Sequence, residues 1–108
     1  MLRSDERNGM TEKSWQLRQG ERLVGTLTLE EADMFWSDCH FAPGPAWEAV
    51  RPLFAAARDA WSRGEEEAAV AADEAIHAEE LALVPADGGE PITDFLIRIA
   101  GETARFRH

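Results

Sequence analysis

Residues 92–108 hold the strongest constraint on how this chain can fold. Phe95, Ile97 and Ile99 alternate with other residues, and Ala104 and Phe106 resume the pattern after Ala100-Gly101-Glu102-Thr103. Such alternation marks strands that bury one face. A two-residue loop at Gly101-Glu102 sets Ile97 against Phe106 and Ile99 against Ala104, which makes one apolar face. A one-residue slip would turn those side chains to water. The same register places Arg98 opposite Arg105, with Arg107 on that side, although like charges across a ladder repel.

The rest of the chain reads around this hairpin. Trp15, Leu17, Leu23, Leu27 and Leu29 predict a second hairpin over residues 14–29, with Leu17 opposite Leu23 and Gln19-Gly20-Glu21 as its loop. Arg18 and Arg22 then face each other on its outer side. Thr28 and Glu31 have capping-box spacing, which predicts a short helical turn near 29–35. Phe35 to Pro45 reads as an aromatic loop broken by Pro43 and Pro45. Trp47, Val50, Phe54, Ala57 and Trp61 lie on one helical face, so residues 46–63 read as a helix, with Pro52 kinking or splitting it. Gly64 suits its C-terminal end. A second helix over residues 65–80 opens with three Glu at the positive end of its dipole. Leu81-Ala82-Leu83-Val84 is a short strand stopped by Pro85. The expected architecture is therefore α+β in the order β-β-α-α-β-β-β. It has an antiparallel sheet of four to five strands with a helical hairpin packed on one face. Residues 1–13 form a polar tail and residues 14–108 a single domain.

Charge limits the function. The net charge is −10, and the stretch from Gly64 to Ile97 contains ten acidic residues and no Lys or Arg. That balance argues against nucleic acid and anionic membrane surfaces as partners, because both are bound by clustered Lys and Arg. No apolar run approaches the ~20 residues that span a bilayer. One cysteine, Cys39, excludes an intramolecular disulfide and makes the cytoplasm the expected compartment. No phosphate-binding, dinucleotide or nucleophile-elbow motif is present, and no cofactor is expected.

Few side chains invite a chemical reading. Arg98, Arg105 and Arg107 could form an anion- or partner-binding face, since the guanidinium fork grips carboxylates. They could equally pair with acids of the same chain. Trp36, Asp38, His40, Phe41 and Trp47 could line a small-ligand pocket, or the aromatic residues could plug the space beneath the helices. Adjacent Cys39 and His40 point apart in an extended segment, so no Cys–His catalytic pair is read there. Asp73 and His77 share a helical face but lack further matched ligands, so no metal site is expected.

Two segments look familiar. One is Phe41-Ala42-Pro43-Gly44-Pro45-Ala46-Trp47-Glu48-Ala49-Val50-Arg51-Pro52-Leu53-Phe54, and the other is Asp94 to Arg107. With the Trp15 hairpin they resemble a group of small uncharacterised actinobacterial proteins. The resemblance implies a stand-alone domain and carries no activity. Residue chemistry and charge together predict a non-catalytic interaction protein that acts through protein–protein contact and forms a homo-oligomer. Two alternatives stand beside it. One is a ligand-binding domain or enzyme with a pocket around Trp36, Asp38, His40 and Phe41. The other is an immunity- or antitoxin-like acidic binder of a basic protein partner.

Overall fold

The computed structural model describes residues 13–108, so the expected tail lies outside the described residues apart from Lys13. The element order is β1 (Ser14–Gln19), β2 (Arg22–Asp33), β3 (Trp36–Pro43), α1 (Trp47–Arg63), α2 (Glu66–His77), β4 (Ala82–Pro85), β5 (Leu96–Ala100) and β6 (Thr103–Arg107). The class is α+β, as the sequence predicts. The six strands form one antiparallel sheet in the order β4-β1-β2-β3-β6-β5. The sheet is strongly curled. Trp15 of β1 and Phe106 of β6 are separated by two strands in the sheet, yet their rings meet edge-on with centroids 5.0 Å apart.

The sixth strand is β3, which replaces the expected aromatic loop. The helical turn expected near 29–35 is absent, because β2 runs on to Asp33 and pairs with β3 through Asp33↔Trp36. Alternation explains the strand: Cys39 and Phe41 are buried while Trp36, Asp38 and His40 take the other side. Pro43 falls at the strand end, where a missing N–H does least damage.

The C-terminal hairpin has the expected register, with Ile97↔Phe106, Arg98↔Arg105 and Ile99↔Ala104. The N-terminal hairpin differs. Its turn is Gly20-Glu21, and Leu17 pairs with Gly25 while Arg18 pairs with Leu23, so Val24 is an extra, bulged residue. Val24 is therefore buried where Leu23 was expected, and Arg22 pairs with Gln19 instead of Arg18. A second bulge, between Leu29 and Glu31, leaves Glu30 without a partner in β3.

The helix α1 passes through Pro52 unbroken and ends at Gly64, whose φ of 73° is the left-handed conformation that glycine adopts without strain. Its buried face is Trp47, Val50, Phe54, Ala57 and Ala60, with Trp61 at the margin, 38% exposed. The core fills the curl of the sheet. Leu17, Leu27, Leu83, Ile97, Ile99 and Phe106 contribute from the strands, and Phe54 and Ile76 from the helices. A run of ring contacts, Phe41 edge-on to Trp47 at 4.9 Å and Trp47 tilted against Phe54 at 5.4 Å, ties β3 to α1. Gly25 makes room for it, since a Cβ there would overlap the Phe41 ring. Among the described residues no helix is long and apolar enough to cross a membrane.

Candidate functional site

Strand alternation gathers the arginines around one indole. Trp36 and Asp38 of β3, Arg105 and Arg107 of β6, and Arg98 of β5 occupy the outward positions of three neighbouring strands. The guanidinium carbons of Arg105, Arg107 and Arg98 lie 4.7, 5.6 and 6.0 Å from the Trp36 ring centre. Each is within reach of the negative face of an aromatic ring, which offsets part of their repulsion.

Carboxylates of the same chain offset more. Arg98 Nη1 donates to Asp73 Oδ1 at 3.2 Å, and Asp73 Oδ2 accepts from Trp61 Nε1 at 3.2 Å. The Arg98 guanidinium also stacks 4.8 Å from the Trp61 ring. It thus joins β5 to both helices. Arg105 Nε lies 3.0 Å from Asp38 Oδ1, but this buried N–H is not aimed at an acceptor, so the ion pair lacks an aligned hydrogen bond. Arg107 is exposed and has no carboxylate partner among the described residues.

Beside this cluster, a cleft of about 660 Å³ opens between α1 and the sheet. Its apolar lining is Cys39, Phe54, Ala57, Ile99 and Ala104. Arg58, Trp61 and Ser62 come from α1, Arg98 and Arg105 from β5 and β6, and Glu30, Asp33 and Asp38 from the β2–β3 hairpin. The Cys39 thiol is 1% exposed and its pKa is pushed up to about 12, first by burial and then by the charges of Asp38 and Glu30. A thiol held protonated in this way is a poor nucleophile.

The expected pocket residues do not converge. Phe41 and Trp47 are core, His40 is exposed on β3, and Trp36 lies beneath the arginines. Of that set only Asp38 lines the cleft. The polar and aromatic cleft residues missed from sequence are Glu30, Asp33, Arg58, Trp61 and Ser62. Arg58, Trp61 and Ser62 have helical spacing and were legible as one face. The bulge that frees Glu30 has no signature in composition. Asp73 and His77 border a smaller cavity of about 300 Å³ under α2, and no group of three metal-ligating side chains gathers among the described residues.

The tip of the β2–β3 hairpin is the other exposed feature. Met34 is 86% and Phe35 75% exposed there. No protein-family model matches the chain, and neither does any curated protein or solved structure.

Proposed function

We propose that this is a non-catalytic interaction protein that pairs with a second copy of itself through the β2–β3 tip. The observation that carries the reading is Met34. Three hairpins in the sheet turn through two residues, and in each the first turn residue has positive φ: Gly20 at 63°, Gly101 at 61° and Met34 at 60°. Glycine is the residue this turn favours. A methionine there costs about 1 kcal/mol in backbone strain and exposes an apolar side chain as well. Neither helps the fold, so a contact outside the fold accounts for both.

The surroundings suit a twofold pair. Met34, Phe35 and Trp36 form an apolar centre at one end of the hairpin. Glu31 of β2 lies on one flank, and Arg107 of β6 lies on the other across β3. A twofold axis through such a patch brings the acid flank of each copy against the basic flank of its partner, as an isologous interface requires. The patch is small, so the dimer is a transient one.

Sedimentation equilibrium tests this. Wild type should self-associate, and Phe35→Asp should remain monomeric with unchanged melting. Glu31→Arg and Arg107→Glu should each weaken the dimer, and the double exchange should restore it. Wild type that stays at the 12.0 kDa monomer mass up to millimolar concentration would sink the proposal. So would a dimer indifferent to all four variants.

A further inference from the structure

We infer that the cleft between α1 and the sheet binds a short apolar peptide with both termini free, of dipeptide size. The argument starts from charges that face one cavity without meeting. Glu30 and Asp33 enter it from β2, and Arg58 enters from α1. All three are exposed, and no ion pair joins them to each other or to any other side chain among the described residues. The other charged groups of the lining are already engaged, Arg105 with Asp38 and Arg98 with Asp73. A ligand therefore finds a free carboxylate pair on one side and a free guanidinium on the other. An ammonium group suits the first, and a carboxylate suits the second. Only a zwitterion satisfies both.

The local structure supports a built site. Glu30 is the extra residue of the β2 bulge, and bulges re-aim side chains that an unbroken ladder would send elsewhere. Arg58, Trp61 and Ser62 sit on one face of α1, so a cation, an aromatic wall and a hydroxyl line the same side. Trp61 is held in place by its bond to Asp73, 3.2 Å long. Cys39, Phe54, Ala57, Ile99 and Ala104 close the floor and are nearly inaccessible, so the apolar surface offered to a ligand side chain is the Trp61 ring, 38% exposed. At about 660 Å³ the cleft falls within the usual range for small-ligand sites and exceeds what a single amino acid fills. Two extended residues span about 7 Å between ends, so a dipeptide carries its opposite charges well apart.

The peptide phenylalanyl-leucine is the probe, titrated by calorimetry into the full chain beside its N-acetyl and C-amide derivatives. Wild type should bind the free peptide with a Kd of about 0.1 mM, the range its size allows. Each blocked derivative should bind about tenfold more weakly, equivalent to about 1.4 kcal/mol. Glu30→Gln should erase the preference over the N-acetyl form, and Arg58→Gln the preference over the amide. Both positions are exposed, so thermal melts should confirm that the variants fold. Equal binding of all three peptides, or preferences that survive both substitutions, would overturn the assignment. So would the absence of saturable heat up to about 5 mM peptide, well above the Kd expected for a ligand of this size. Because neither variant touches the hairpin tip, this outcome is independent of the self-association result.

Discussion

Arg98 and Arg105 face each other in the sheet, yet the two should respond differently to removal. Arg98 is 31% exposed at its side chain and Asp73 is 18% exposed, and the pair carries both a hydrogen bond and a stack on Trp61. Arg105 and Asp38 are 43% and 38% exposed, with no aligned bond. Solvent screens the second pair more. We predict that Arg98→Gln lowers stability by about 1–2 kcal/mol and Arg105→Gln by less than about 1 kcal/mol in urea titrations. The reverse ranking would show that the Asp73 bridge is idle. Cys39 offers a second test at this scale. Its folded pKa is raised from 9.0 to about 12, so the unfolded chain loses its thiol proton first as pH rises. Stability is then full below about pH 9 and falls above it, with a slope approaching about 1.4 kcal/mol per pH unit. The chain has no Tyr and Lys13 as its one Lys, so few other side chains titrate there. Cys39→Ala should flatten the decline between pH 9 and 12, and an unchanged slope would place its cause elsewhere.

At the scale of elements, what was legible in the sequence followed from short-range periodicity. The β5–β6 hairpin was readable to the residue, because Gly101 permits one tight turn and only one register buries all four apolar side chains. The helical hairpin was readable from the α1 stripe and from Gly64. The strand β3 was not, because Trp36 and Phe41 fall on opposite sides and Pro43 and Pro45 suggest irregular chain. The bulges at Val24 and Glu30 were also invisible, since each depends on what the partner strand packs against. Of the candidate site, the arginine row was legible from strand register. Its indole platform and the cleft beside it come from pairings distant in sequence. Gly25 shows how far such pairings reach. We predict that Gly25→Ala destabilises the fold by about 1–3 kcal/mol, because the added methyl displaces the Phe41 ring and with it the ring contacts to Trp47 and Phe54. A thermal melt unchanged by that substitution would mean that these ring contacts tolerate movement. Met34→Gly acts in the other sense: it should raise hairpin stability slightly while weakening self-association.

For the whole molecule, a net charge of −10 opposes any pairing of two copies. Salt near 0.15 M, with a screening length of about 8 Å, damps that long-range repulsion while leaving contacts between Arg107 and the facing acids largely intact. Association should therefore strengthen from about 0.01 M to 0.15 M salt and weaken again toward 1 M, where the screening length is about 3 Å. A steady rise across the whole range would mark an interface held by apolar contact alone. The sheet order carries a further consequence, which concerns the time course of synthesis. The strand β6 follows both β3 and β5 in sequence yet lies between them in the sheet. Until Thr103 to Arg107 have left the ribosome, β5 has no neighbour to pair with and the long β3 presents an open edge to other nascent chains. The strands β4, β1, β2 and β3 can pair without β6, so what waits for Thr103 to Arg107 is the outer edge of β3 and all of β5, while the acidic helices have already emerged and keep the unfinished sheet in solution.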